Sequence, residues 1–397
     1  MGASGGRNAA EAPAGTVVAR GLSSAELGGA PVVPEGIPTT PGFHGRPFEI
    51  PARPDLATFF STKKGAPFAC PEPVGPVADS HTHLTSLRVV HPAVALARAA
   101  LAGLDFLVTV VDPTDDATDP AAVLSNLADW QVQARVVLDA WGLPGLAVPR
   151  VRLLPGCHPH NARLFDAAAR SAMRALLTEP LCCGVGEIGL DYHYDLSPRD
   201  VQLRVFEQQL RLAIELDAPV SLHIREAHDD AFELMSRTGI PAAGAVLHCF
   251  DLGPGELHRF FELGCSFGIG GAVSFASCEP TRQAMRECPA ERIVTETDAP
   301  YMAPVPLRGT PCEPAHTAVT VDFLTRLRAE ARGEDVARQY ATFATNARVL
   351  FDVRAGFALP AGALEEDVRG EACAAAVAAE RAGEPAVADP GDGGAAR

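Results

Sequence analysis

The chain has 397 residues, 47% of them hydrophobic and 21% charged, with a formal net charge of −16 and a sequence pI near 5.2. That length and apolar content suit a globular protein with one large core or two smaller ones. Such acidity argues against a protein that wraps nucleic acid by broad counterion release, although a metal site can still draw one phosphate locally because the ions supply positive charge.

Residues 1–75 are rich in Gly, Pro and Ala with little periodicity, and most of this stretch is expected to be disordered or loosely attached. Phe43, Phe48 and Leu56–Phe60 are the residues that could pack on a core as an arm. Residues 76–357 show a regular alternation. Apolar runs of strand length occur at Val77–His83, Phe106–Asp112, Val151–His158, Cys183–Leu190, Pro219–Ile224, Ala245–Phe250, Cys265–Gly271 and Ile293–Asp298. Their interiors are nearly continuous in Val, Leu, Ile and Cys, as in parallel strands buried on both faces. Helix-period segments lie between them, at His91–Ala102, Arg199–Leu216, Asp229–Thr238, Gly255–Leu263 and Thr281–Cys288. Ser197 followed by Pro198 reads as an N-cap with proline at the first helical position. Eight strand-then-helix units predict an α/β fold, a TIM (β/α)8 barrel. Residues 358–397 form an Ala-rich acidic tail, with eight acids against three arginines from Leu364 onward, and are expected to be largely disordered.

The ten cysteines include no C-x-x-C pair, and only Cys182 and Cys183 are adjacent, which points to a reducing, cytoplasmic compartment. The N-terminus MGASGGRNAAEAPAG lacks the apolar stretch of a signal peptide. Gly2 begins a myristoylation-like string, but Gly6 stands where that motif wants Ser or Thr. The longest apolar run, around Ala97–Val111, is broken by Asp105 and is too short to span a bilayer. Neither a membrane nor an obligate protein partner is expected.

Five of the eight strands end in metal-binding residue types. They are His81 and His83 in DSHTHL, Glu187 in GVGEIGLD, His223 in VSLHI, His248 in AVLHCF and Asp298 in TETDAP. Alone, each has an ordinary explanation. His-x-His pairs arise by chance, a strand-end histidine is more often a satisfied core residue, Glu187 could pair with an arginine, and Asp298 could cap the turn before Pro300. Six together, all at the C-terminal ends of barrel strands, describe a site for two divalent metal ions with Glu187 bridging them. The strand period of two puts His81 and His83 on one side. Asp298 is placed to orient a water nucleophile and take its proton, making Asp298 and Glu187 the candidate catalytic residues. Glu296, two residues before Asp298, is expected behind the ligands. His158 and His160 in GCHPHNA end the third strand and are candidates for binding a substrate phosphate, as are Arg225 and Arg308. His193, His228, His258 and His316 read as surface residues or as supports behind the ligands. Cys157, Cys249 and Cys265 read as inert core thiols within strands.

These motifs resemble the TatD family of metal-dependent hydrolases and deoxyribonucleases. The likeness runs from about Val77 to Phe351 through DSHTHL, GCHPHNA, GEIGLDYHYD, Gln202, Phe206 and Gln209-Leu210, LHIREAHDD, LHCF, GIGGAVSF, RIVTETDAPYMAPVPLRG and NARVLF. The resemblance implies that His81, His83 and Asp298 hold one metal and His223 and His248 the other, that the two ions are of the Mg, Mn or Zn type, and that the substrates are phosphodiester bonds, several of the family's members acting on DNA ends. Three features depart from the family pattern. Thr310 and Cys312 stand where Lys and Asn are usual, Thr85 stands where an acid is common, and both termini lie outside it. The leading expectation is a phosphodiesterase that trims single-stranded DNA ends or cleaves another phosphoester. The alternatives are an amidohydrolase or esterase of a small-molecule or aminoacyl ester, and a catalytically silent metal-binding adaptor.

Overall fold

In the computed structural model, residues 48–114, 119–352, 356–360 and 363–364 are described, and the eight apolar runs form eight parallel strands. A small antiparallel hairpin of β1 (Phe60–Ser61) and β2 (Pro67–Phe68) precedes them. The barrel strands are β3 (Val77–Thr82), β4 (Leu104–Val111), β5 (Arg150–Pro155), β6 (Val185–Asp191), β7 (Val220–Arg225), β8 (Ala245–Leu247), β9 (Ser266–Ile269) and β10 (Ile293–Thr295). Every residue of β3 and β6 is buried, as strands covered on both faces require.

Strands β3–β5 form one sheet and β6–β10 another. Backbone contacts close both seams into a ring. Leu153 of β5 bridges to Cys182 just before β6. On the other side Asp298 N donates to His81 O at 3.0 Å and His83 N to Ala299 O at 2.8 Å. The protein is therefore a TIM barrel, and its helices follow the strands in strict alternation: α1 (Pro92–Leu101), α2 (Pro120–Ala140), α3 (Ala167–Leu177), α4 (Arg199–Leu216), α5 (His228–Thr238), α6 (Pro254–Glu262), α7 (Glu279–Glu287) and α8 (Thr317–Arg332), with a final α9 (Val336–Phe351). Ala78, Phe106, Val108, Leu154, Val246 and Val294 fill the barrel beneath the site, together with Phe351 and Ala347 from α9. Packed side chains thus leave only the opposite mouth for chemistry.

Two local expectations need correction. Ser197 does not cap α4. Pro198 occupies that position without a side-chain cap, and Ser197 Oγ instead donates to His160 O at 2.8 Å, tying the GCHPH turn down. Cys157 and Cys249 lie just past the ends of β5 and β8, and Cys265 just before β9, rather than inside strands. Cys249 is half-buried with φ of 48°, and burial still raises its thiol well above the ordinary range.

Part of the N-terminal segment is docked. Phe48, Phe59 and Phe60 are buried, whereas Leu56 is 45% exposed and Phe43 lies outside the described residues. The anchor is Arg98 of α1. Its Nε donates to both Glu313 oxygens at 2.8 and 2.9 Å and its Nη2 to Phe59 O at 2.9 Å, with the guanidinium 4.2 Å from the Phe59 ring centre. A planar fork can satisfy all these contacts at once, which lysine cannot. His316, expected at the surface or near the ligands, is instead buried under Phe60, and its ring closes a capping box with Glu313. No helix among the described residues is long and apolar enough to cross a membrane. Beyond Leu364 the expected acidic tail lies outside those residues.

Candidate metal centre

Each strand delivers its polar residue where the apolar run stops, so the side chains meet at one mouth. Glu187 stands at the centre. Its Oε2 lies 3.2 Å from His81 Nε2 and 3.6 Å from His83 Nε2. Its Oε1 lies 2.7 Å from His223 Nδ1, 3.4 Å from His248 Nε2 and 3.6 Å from His158 Nε2. His83 Nε2 is also 3.2 Å from Asp298 Oδ1. The structure therefore brings together all six proposed ligands, and adds His158.

The donor set fits divalent metal. Ligand atoms of His81, His83 and Glu187 lie within 4.8 Å of one another, and so do those of Glu187, His223 and His248. The two triads share one carboxylate. His81 Nε2 is buried and makes no hydrogen bond, although its Nδ1 is held at 2.9 Å by Ser221 Oγ. Buried polar atoms are rarely left so, and an imidazole fixed by one nitrogen with the other aimed at a carboxylate oxygen without bonding it is the posture of a ligand.

Supports behind the candidate ligands are equally specific. Glu296 Oε1 accepts from Cys249 N at 2.5 Å and lies 3.2 Å from His248 Nδ1. Gly268 makes room for it, since a Cβ there would sit 2.3 Å from Glu296 Oε2. Asp79 Oδ1 accepts from His81 N and Thr297 N at 3.2 and 3.0 Å, clasping the ends of β3 and β10. Asp298 adopts φ of 55°, a left-handed conformation uncommon for a non-glycine residue and frequent at functional sites.

Two residues were not singled out from sequence. Asp191 Oδ2 lies 2.9 Å from His223 Nε2 and 2.8 Å from His160 Nε2, while its Oδ1 accepts from the His193 and Tyr194 amides. The signal was present: Glu187, Gly189 and Asp191 alternate along β6 and so share a face. Gly189 has φ of 147°, and a Cβ there would strike His223 O at 1.9 Å. Asp112, at the end of β4, accepts from His158 N at 3.0 Å and Asn161 Nδ2 at 3.1 Å, shaping the turn that carries His158. Arg225 and Arg308 are exposed, with their guanidiniums over Tyr194 and Phe275 at 4.8 and 4.3 Å. His193 is exposed and pairs with Glu226, and His258 is exposed as expected.

The electrostatics follow from this packing. Burial opposes charge on every group, but neighbours override it at several. Glu187 is held well below the usual carboxylate range by His248, His158 and His81. Asp298 is lowered, against its burial, chiefly by the hydrogen bond from His83. His223 rises to about 9 despite burial, because both ring nitrogens face carboxylate oxygens of Asp191 and Glu187. His248 rises to about 10 despite burial, through Glu296 and Glu187. His158, where burial dominates, falls to about 4.

The metal-free cluster therefore holds protons at neutral pH that ligation must displace. A histidine with a raised pKa keeps its proton until the pH passes that value, so divalent-ion affinity should rise with pH toward 9–10 and fall as the solution is acidified. Calorimetry at pH 7.5 in buffers of different ionisation enthalpy should register one to two protons released per chain on loading. Release of none would contradict the assignment. Asp191→Asn should weaken the His223-side metal by about 10- to 100-fold, since one amide oxygen cannot serve both the backbone amides and the two imidazoles. Titration with a chromophoric chelator measures it.

The whole barrel matches a known family. The model described as TatD related DNase covers residues 78–352. A relative from Escherichia coli K12, the 3′-5′ ssDNA/RNA exonuclease TatD, is 37% identical over 207 residues, half of this chain and 76% of the relative. The metal-dependent hydrolase YabD of Bacillus subtilis is 32% identical over 183 residues, 46% of this chain and 71% of YabD. Among solved structures, the Escherichia coli TatD homologue YJJV superposes with a TM-score of 0.58 at 24% identity over 70% of this chain and 99% of that one, a likeness of fold.

Proposed function

Because this chain belongs to the TatD related DNase family of metal-dependent hydrolases, we propose that it is a two-metal phosphodiesterase that shortens single-stranded nucleic acid from one end. The observation that carries this reading is Glu187, one carboxylate within 2.7–3.6 Å of five histidines from the ends of four strands, β3, β5, β7 and β8. Relatives named 3′-5′ ssDNA/RNA exonuclease support the substrate class and suggest the polarity.

His81, His83 and Asp298 would hold one ion, His223 and His248 the other, with Glu187 between them. Bound divalent ions supply Lewis acidity at the phosphoryl oxygen and make water nucleophilic near neutral pH. The chain's own residues do the rest. Asp298, ionised and only 8% exposed, is placed to orient the water and accept its proton. The water oxygen bonds to phosphorus, the P–O bond to the neighbouring sugar breaks, and the departing oxygen takes up the proton that Asp298 received from the water. His158 stays neutral and faces the Glu187 side of the site, so its Nε2 can donate to a non-bridging phosphate oxygen. His160 is committed to Asp191 and acts by positioning.

The test uses end-labelled single-stranded DNA, metal-stripped protein, and Mg or Mn added back. Metal-dependent shortening that disappears in Asp298→Asn is expected, and the position of the label reports polarity. Intact DNA alongside protein that has rebound two ions would overturn the reading in favour of a carboxylic ester.

A further inference from the structure

Of the chain's 33 basic residues only two are lysines, Lys63 and Lys64, and they are adjacent. Everywhere else this sequence uses arginine for positive charge. Both lysines stand at the tip of the β1–β2 hairpin, which no metal-site argument uses. The tip is well formed: Thr62 N donates to Ala66 O at 2.8 Å, Gly65 N to Thr62 O at 2.8 Å, and Ala66 N to Thr62 Oγ1 at 3.0 Å. Both side chains are exposed, and neither ammonium is hydrogen-bonded or ion-paired among the described residues.

The hairpin is held beside the barrel mouth. Arg98 and Glu313 clamp Phe59, and Glu313 begins the turn that follows the mouth segment 299–312. That segment leaves Asp298, and Cys312 N returns to Pro300 O at 3.1 Å. It carries Tyr301, exposed and 6.2 Å from the His83 ring, then Arg308. The Lys63 side chain lies across Gly309: its Cδ and Nζ are 3.1 and 3.8 Å from where a Cβ would stand. Segments 56–71 and 299–312 hold three cations, Lys63, Lys64 and Arg308, and no acid, in a chain of net charge −16. Two unpaired lysines in so acidic a chain are a local electrostatic exception beside the candidate site.

We propose that Lys63 and Lys64, with Arg308, form a phosphate-binding track for the part of a nucleic-acid strand that extends beyond the scissile bond. This rests on the nucleic-acid reading above. An ammonium recognises a phosphodiester as a point charge, which suits a strand sliding through after each cleavage better than a fixed bidentate grip. The hairpin then sets how tightly long strands are held and takes no part in breaking the bond.

The test compares full-length, metal-loaded wild type with Lys63→Ala/Lys64→Ala on two substrates, a strand of about 20 nucleotides and bis(p-nitrophenyl) phosphate. The double variant should raise KM on the strand by about tenfold at low salt with little change in kcat, and the loss should be at least fivefold greater than on the small diester. The slope of log affinity against log salt should become shallower by about 1.4, from roughly 0.7 per lost single-strand phosphate contact. Lys63→Arg/Lys64→Arg should restore most of the affinity. Equal losses on both substrates, or an unchanged KM and salt slope on the strand, would overturn the track. Anisotropy of a labelled strand on Asp298→Asn, with and without the lysine substitutions, keeps the two questions apart. Wild type that cleaves only the small diester defeats the nucleic-acid reading, whereas strand binding by Asp298→Asn that ignores the lysines defeats the track alone.

Discussion

Glu187→Ala should retain no more than one divalent ion per chain and lose roughly four orders of magnitude in kcat/KM, equivalent to about 5 kcal/mol of transition-state stabilisation. The geometry makes this residue singular. Each of its oxygens faces a different histidine group, His81 and His83 on one side and His223 and His248 on the other. Under the proposed assignment, removing it leaves Asp298 as the one anionic ligand and no anion between the two dications. The effect should be visible without turnover. His223 and His248 owe part of their raised pKa to Glu187, so both should titrate lower in the metal-free variant, and proton release on loading should shrink. Plasma mass spectrometry of dialysed protein gives the stoichiometry. A Glu187→Ala protein holding two ions with near wild-type activity would remove the bridging assignment. Glu187→Gln separates shape from charge: it fills the same space, and if charge is what matters it should behave like the alanine variant.

The barrel and the histidine cluster were legible in the sequence for one physical reason. Strands buried on both faces must be apolar throughout, so a histidine or carboxylate ending such a run stands out, as His223 after Val220–Leu222 and His248 after Ala245–Leu247 do. Helix α2 was less visible because its apolar stripe is shallow, whereas α3 and α8 were passed over although α3 buries Ala169, Ala172, Met173, Leu176 and Leu177 at helical spacing. Asp191 was passed over because it is followed by the polar run Tyr-His-Tyr-Asp, which resembles an ordinary loop entry. Only its alternation with Glu187 marks it. His316 was misplaced because nothing local signals its burial, which comes from Phe60, 256 residues earlier. The docked hairpin was hidden in the same way. A Gly- and Pro-rich segment carries no periodicity, and its anchor is a tertiary clamp of Arg98 on Glu313 and Phe59. Local patterns reveal elements whose burial repeats along the chain, and they miss elements held by one long-range ion pair.

Asp298→Asn should keep most of its metal and lose about 10²- to 10⁴-fold in kcat, the range expected when a positioned proton acceptor is removed. Asparagine keeps the side chain's shape and one oxygen to face His83, and the backbone position is set by Asp298 N donating to His81 O and by the Asp79 clasp on Thr297. It also tolerates the left-handed conformation recorded at φ of 55° better than most residues. What it loses is basicity. The wild-type carboxyl is lowered, against its burial, by the His83 hydrogen bond and by His248, so it is ionised throughout the neutral range and should set an acidic limb in the pH–rate profile below the ordinary carboxylate pKa. At metal concentrations that saturate the site across the pH range, replacement by asparagine should abolish that limb as well as lower the plateau, whereas a residue that only supports the fold would lower the plateau and leave the limb in place. A full-rate Asp298→Asn enzyme, or one slowed but with its acidic limb intact, would move the proton acceptor elsewhere in the cluster. In that case His158, neutral and 3.6 Å from Glu187, is the next candidate, and His158→Gln measured over the same pH range would decide it.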